Sequence, residues 1–145
     1  GLLHNIGELV LVKLNPNEAR QCTNISNQHT PLILQNKHLG FSFAELSSEL
    51  LKLWGIPLEI SQIIEKTHVS EHIATCKEEK VLQLAYVLAL NNVHTDMYST
   101  HCNVTEDMYQ SLGFDLKAVD RALDYSNLQL VSALNVFSPS SFTMF

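Results

Sequence analysis

Histidine and cysteine are the first side chains to consider in this chain as metal ligands or nucleophiles. The cysteines are far apart and form no Cys-x-x-Cys pair, so the sequence indicates neither a disulfide framework nor a zinc ribbon. Lys77 follows Cys76 and His101 precedes Cys102, but one such neighbour in a polar segment is not enough to mark an activated thiolate. We therefore expect no nucleophilic catalysis from this set, which is Cys22, Cys76 and Cys102.

The histidines differ in their surroundings. Five lie in polar segments, where we expect them to be solvated and where no two have ligand spacing on a predicted helix: His29, His38, His72, His94 and His101. His4 lies on a mostly apolar helical stretch, where an imidazole more often hydrogen-bonds a neighbour such as Asn5 or a backbone carbonyl than binds a metal. His68 comes at the predicted end of a later helix.

The acidic residues and glycines have structural interpretations. Glu8 is expected to face solvent on a helix, and Glu45 to cap one. Glu78 and Glu79 begin a helix, where negative charge favours the helix dipole. The five glycines are scattered, so they predict helix ends and a close contact at Gly7 rather than a phosphate-binding loop.

Length and charge exclude several functional classes. With 145 residues, 46% of them hydrophobic, the chain has material for one ordinary domain with one core. A formal net charge of -6 and the lack of a dense Lys/Arg run argue against nucleic-acid binding. The apolar start is interrupted by polar residues and is too short to span a bilayer, so we expect neither export nor membrane insertion. A cytoplasmic location is predicted.

Apolar periodicity predicts an all-α chain of about seven or eight helices, arranged as a helical bundle. Residues 9–14 alone would also fit a buried strand, although helix is favoured. The elements predicted before residue 41 are a helix over 1–14, a second helix begun by Asn15 and Pro16, a polar loop over 22–30, and a short helix over 31–38 that Gly40 ends.

The central segment has the clearest signals. Ser42 and Glu45 form a capping-box pattern at the start of an amphipathic helix. Gly55 ends this helix and Pro57 begins the next. We expect Trp54 to be an anchor packed between these two helices.

The later helices are read from residue type alone. Residues 78–93 are apolar on nearly all sides, which is typical of a helix buried at the centre of a domain. Thr105 and Asp115 are predicted to cap two further helices, and a last apolar stretch over 128–137 ends before Pro139. We therefore predict a single helical domain over residues 1–137 and a tail over 138–145.

Two blocks of this sequence resemble the HDOD domain, the HD-related output domain of bacterial signalling proteins. The first covers residues 1–9 and the second residues 39–57. His4 and Gly7 match the family in the first block, and in the second block the match includes Ser47 and the more specific Trp-x-x-Pro element of Trp54, Gly55, Ile56 and Pro57.

The resemblance identifies the first block as a changed metal-binding motif. In the HD superfamily it reads His, Asp, any residue, Gly and often Lys, and the His and Asp bind metal. Here Asn5 stands at the aspartate position and Glu8 at the lysine position. An amide oxygen has no formal charge and cannot bridge two cations as a carboxylate does.

The resemblance also implies three further positions of the old metal site. Phe43 stands where the family has histidine, and His68 is the remaining half of a histidine pair. Tyr86, after Ala85, stands at the place of an aspartate. Because metal-assisted hydrolysis needs several imidazoles and a bridging carboxylate, we expect no metal, no cofactor and no catalytic residue at this degenerate set: His4, Asn5, Phe43, His68 and Tyr86.

The resemblance covers roughly residues 1–95 and starts at the first residue, whereas family members have further helices before this block. We therefore expect the C-terminal half of an HDOD domain. Helices that normally pack on the missing half would expose apolar surface, which favours a partner or self-association.

Our preferred interpretation is a non-catalytic bacterial regulatory module in signal transduction that acts through protein–protein interaction. Its partner would be another protein or the missing N-terminal half, with self-association also open. One alternative is an atypical metal-dependent HD-type phosphohydrolase acting on a nucleotide or phosphate ester. The other is a structural helical oligomerisation domain.

Overall fold

The computed structural model describes residues 3–23, 31–67, 74–93 and 104–137. These residues form eight α-helices and no strand, which confirms the predicted all-α class and the helical reading of residues 9–14. The helices are α1 Ile6–Leu14, α2 Pro16–Thr23, α3 Pro31–Leu39, α4 Phe43–Leu53, α5 Leu58–Lys66, α6 Lys77–Val93, α7 Glu106–Gln110 and α8 Leu116–Phe137.

The chain divides into two compact units, Gly1–Val104 and Thr105–Phe145. In the first unit α4 packs against α1 and α5, α2 packs against α1 and α3, and α5 contacts α6. In the second unit α7 contacts α8. That residues 1–137 form one domain followed by a tail stays a prediction. None of the described helices combines the length and the apolar character needed to cross a membrane.

The start of α4 is fixed by the residues that predicted it. The Ser42 hydroxyl accepts a hydrogen bond from the Glu45 backbone N–H at 3.1 Å, and the Glu45 carboxylate accepts one from the Ser42 N–H at 2.6 Å. This reciprocal capping box satisfies two N–H groups that a helix start leaves without partners. Gly55, at φ +72°, then turns the chain after α4, a conformation that disfavours other residues.

The segment between α1 and α3 differs partly from its prediction. Asn15 and Pro16 do separate α1 from α2, as expected. However, α2 continues through Thr23, so the predicted loop over 22–30 is wrong at its first two residues, and residues 24–30 lie outside the described part. Cys22 is fully buried beside Ala19, one helical turn earlier, because the two share the face of α2 that packs inward.

The two long helices also differ from expectation. In α6 Leu84 is buried, but Val81, Ala85 and Ala89 are exposed, so the prediction of a helix buried on nearly all sides is wrong for its described side chains. The two C-terminal helical stretches are one continuous helix, α8, because no glycine or proline interrupts residues 116–137. Its cap is as predicted, since the Asp115 carboxylate accepts from the Ala118 N–H at 2.7 Å.

Candidate functional site

α1 and α4 are in close contact at Gly7, the glycine of the changed metal motif. The Gly7 backbone N–H donates to the Ser47 hydroxyl at 2.9 Å, and that hydroxyl donates to the Phe43 carbonyl at 2.7 Å. A Cβ at Gly7 would lie 2.6 Å from the Phe43 carbonyl oxygen and 2.9 Å from the Ser47 nitrogen. Only glycine fits here, which confirms the close contact expected at Gly7.

The side-chain amide of Asn5, the residue before α1, makes a hydrogen bond to a residue of that helix. Its Nδ2 donates to the Glu8 carboxylate one turn later, while its Oδ1 is buried and has no hydrogen-bond partner among the described residues. The side chain makes no capping bond to the helix. The amide nitrogen is therefore hydrogen-bonded to the Glu8 carboxylate. This carboxylate, which could otherwise have attracted a cation, already has a partner.

His4 and Tyr86 are in contact although their residue numbers differ by 82. Their ring centroids lie 6.3 Å apart and their planes are at 70°, an edge-to-face arrangement. Aromatic pairs prefer this geometry because the positive edge of one ring faces the negative face of the other. The contact links the turn before α1 to α6 and brings together two of the positions that the resemblance assigns to the old metal site.

Phe43, at the position where the resemblance implies a histidine, has a buried apolar side chain. The side chain is only 2% exposed at the first residue of α4. Its backbone N–H, which has no partner within the helix, donates to the Gln35 side-chain oxygen at 2.8 Å. A histidine that binds a metal at this position would have to point its ring toward the ion. The Phe43 side chain is instead buried in the hydrophobic core.

These residues do not fit a divalent metal. The described part of the chain holds no cluster of three or more His, Cys, Asp or Glu that could bind one. The structure brings His4 and Tyr86 together and places the Phe43 carbonyl against Gly7, but Asn5 donates to a carboxylate and Phe43 has no donor atom in its side chain. His68 lies outside the described residues.

Cys22 is not an activated nucleophile. The thiol is fully buried, and this burial, together with the nearby negative charge of Glu18, raises its pKa above the ordinary value. A thiol with a raised pKa is protonated at neutral pH and is a poor nucleophile. Cys102 lies outside the described residues.

A polar cluster between α4 and α5 was not predicted from the sequence. The Ser48 hydroxyl donates to the Glu65 carboxylate at 2.9 Å, and the Lys52 ammonium donates to Glu65 at 3.1 Å and to Glu49 at 2.8 Å. The Lys52 hydrogen bond is the main cause that lowers the pKa of Glu65, and burial acts in the opposite direction. Only the local pair of Glu49 and Lys52 has a sequence signal, its helical spacing.

The turn between α4 and α5 exposes a group of large apolar side chains, which we call the Trp54 surface: Leu53, Trp54 and Leu58. Trp54 is 56% exposed, so the prediction that it is an anchor between the helices is wrong. Gly55, at φ +72°, turns the chain after α4, and the exposed indole lies next to this turn in the sequence. Exposed apolar groups of this kind often mark interaction sites.

A comparison with protein families gives one match. The model of the HDOD domain matches residues 1–70, the segment that contains α1 to α5 and the Trp54 surface. No curated protein and no solved structure is significantly similar to the chain. Of the degenerate site positions, four lie within the match and Tyr86 lies beyond it.

Proposed function

We propose, from the HDOD domain match over residues 1–70, that the chain is a non-catalytic module of bacterial signal transduction that acts by binding a protein partner. The proposal assigns no metal and no cofactor to the chain. It treats the helices as a scaffold that presents a surface.

One observation carries the non-catalytic part: the hydrogen bond from the Asn5 amide to Glu8. Hydrolysis by an HD-type centre needs a metal that lowers the pKa of bound water, and a carboxylate that bridges the metal ions. At the carboxylate position this chain has an amide, and the nearest acid accepts that amide's N–H. The core position of Phe43 supports the same conclusion.

The Trp54 surface supports the partner-binding part. Tryptophan is enriched among the residues that contribute most to protein interfaces. Lys52 beside it already has two carboxylate partners, whereas Glu59 next to Leu58 is exposed. The surface thus combines apolar side chains with a mildly acidic edge, which suits an apolar partner face bordered by basic residues.

The catalytic question is tested with the purified chain. Metal analysis and turnover of a generic phosphodiester with Mn²⁺ are measured for the wild type and for His4→Ala. We expect no stoichiometric metal and no turnover above that of buffer. Bound metal or Mn²⁺-dependent turnover that His4→Ala abolishes would contradict the proposal and support the phosphohydrolase.

The partner question is tested with two exposed positions. Trp54→Ala is compared with Leu14→Ala, which removes an exposed side chain from the end of α1. Proteins cross-linked to the wild-type chain in the producing cells are quantified for each variant. We expect the same partner to be lost with Trp54→Ala and retained with Leu14→Ala, and equal recovery with both variants would contradict the assignment of this surface.

A further inference from the structure

Residues 124–132 of α8 are exposed although they continue a helix that is partly buried at its start. Val119, near its start, is only 5% exposed, whereas Leu130, on the same side of the helix, is 52% exposed. Every described side chain from residue 124 to residue 132 is exposed. The burial of Val119 is therefore not repeated at the described side chains of residues 124–132.

Such a segment needs support from outside. An isolated helix of about 13 residues, the length of the segment 125–137, is marginal in water. Packing of an apolar face provides most helical stability in proteins. Salt bridges along the helix are the usual substitute for packing. Residues 125–137 contain no Asp, Glu, Lys or Arg, so this substitute is absent.

The charges of α8 determine which partner fits. A charged partner surface would find no complement on residues 125–137, whereas an identical uncharged segment would. Two copies of a chain with a formal net charge of -6 repel each other, and their closest contact is favoured where neither carries charge. Within α8 this is the second half.

We propose that residues 125–137 of α8 pair with the same residues of a second copy of this chain, with the two helices antiparallel. A parallel pair would place Asp120 and Asp124 beside their own counterparts. An antiparallel pair centred near Val131 places the two Asp124 residues at opposite ends, about 21 Å apart along the helix axis, which exceeds the screening length of physiological salt.

This pairing goes beyond the partner binding proposed above, because its residues lie in the unit Thr105–Phe145 and the Trp54 surface lies in the unit Gly1–Val104. The overlap is short, about 20 Å of helix, so the association is weak and depends on concentration. Both sites can be occupied or lost independently.

Sedimentation of the complete chain over a range of concentrations tests the proposal, with two variants that add the same charge. Leu130→Glu changes the apolar side of α8, and Ser132→Glu changes the opposite side, two residues away. We expect the wild type and Ser132→Glu to approach twice the monomer mass as concentration rises, and the helical signal in circular dichroism to rise with it. Leu130→Glu should stay monomeric.

A second measurement separates a lost interface from a lost fold. Trp54 is the single tryptophan and lies in the other unit, so the urea midpoint of its fluorescence should be the same in both variants. A monomeric wild type at all concentrations, an assembly larger than a dimer, or equal dissociation of both variants would overturn the proposal. Asp120→Asn combined with Asp124→Asn should leave the dissociation constant unchanged, and a tenfold tighter dimer would overturn the antiparallel arrangement.

Discussion

The imidazole of His4 and the phenol ring of Tyr86 meet edge to face, with centroids 6.3 Å apart. They come from the turn before α1 and the middle of α6, at two positions that the HDOD resemblance assigns to a former metal site. In this chain an aromatic contact joins the two positions instead.

This contact should be measurable as a coupling energy. In a double-mutant cycle of His4→Ala and Tyr86→Ala, we expect about 0.5–1.5 kcal/mol of coupling in the free energy of unfolding, the usual contribution of an edge-to-face pair. A control cycle combines Tyr86→Ala with His38→Ala, at an exposed histidine near the end of α3. Equal coupling in the two cycles would show that the ring contact contributes nothing specific.

Gly7→Ala should destabilise the chain although alanine is the better helix former by about 1 kcal/mol. The new methyl group would lie 2.6 Å from the Phe43 carbonyl oxygen and 2.9 Å from the Ser47 nitrogen, and backbone atoms cannot rotate away. We expect a loss of roughly 1–3 kcal/mol in urea unfolding, as in other overpacked sites. An unchanged or higher midpoint would show that α1 and α4 can separate without cost.

Ser47→Ala removes the acceptor of the Gly7 N–H at the first turn of α1. Leaving that buried donor unsatisfied should cost about 1–3 kcal/mol. Ser61→Ala is the matched control, because the Ser61 hydroxyl is also buried but donates only to the Leu58 carbonyl within its own helix. We expect the smaller loss at Ser61 in the same urea experiment, and the reverse order would contradict the role of Ser47 as a link between helices.

Trp54→Ala should change stability little, within about 0.5 kcal/mol, as is usual for surface positions. Leu51→Ala, one turn earlier and fully buried, should cost about 2–5 kcal/mol. Circular dichroism in urea compares the two variants, since the first removes the fluorophore. A loss at Trp54 as large as that at Leu51 would restore the interpretation of Trp54 as an internal anchor.

Glu65 should contribute to stability in a pH-dependent manner. Its pKa is lowered in the folded chain, chiefly by the hydrogen bond from Lys52, so the contribution is complete above the ordinary glutamate pKa and disappears as pH falls through the lowered one. The effect should be small, because the Glu65 side chain is 42% exposed and solvent screens the pair.

The measurement is the urea midpoint at neutral and at acid pH. Glu65→Gln should lose less stability than the wild type between these conditions, whereas Glu59→Gln, at an exposed position of the same helix, should follow the wild type. Parallel behaviour of all three proteins would show that the Lys52 interaction does not favour folding.

The sequence predicted the local features of the fold well because their causes are local. The capping box of Ser42 and Glu45 needs residues three positions apart, and the end of α4 needs a glycine at Gly55. The sequence could not predict the exposure of Trp54 or of the apolar residues on α6. An apolar side chain favours burial, but its type does not say which element covers it.

The contacts of the candidate site were also predictable only where they are local in the sequence. Asn5 and Glu8 lie three residues apart on one helix, so their hydrogen bond follows from helical geometry. The contact of His4 with Tyr86 depends on the packing of distant helices, and only the resemblance suggested it. The cluster of Ser48, Lys52 and Glu65 had no such signal, because its members come from two helices and no sequence pattern relates Glu65 to the other two.

The tight joint at Gly7 has a mechanical consequence. Where two main chains lie this close and share the Ser47 hydroxyl, neither helix can slide or rotate alone, so we expect α1 and α4 to move as one rigid body. α4 ends at the Trp54 surface. A displacement of α1 would thus also displace Trp54 at the end of α4. A conformational change could be transmitted in this way without a bound small molecule.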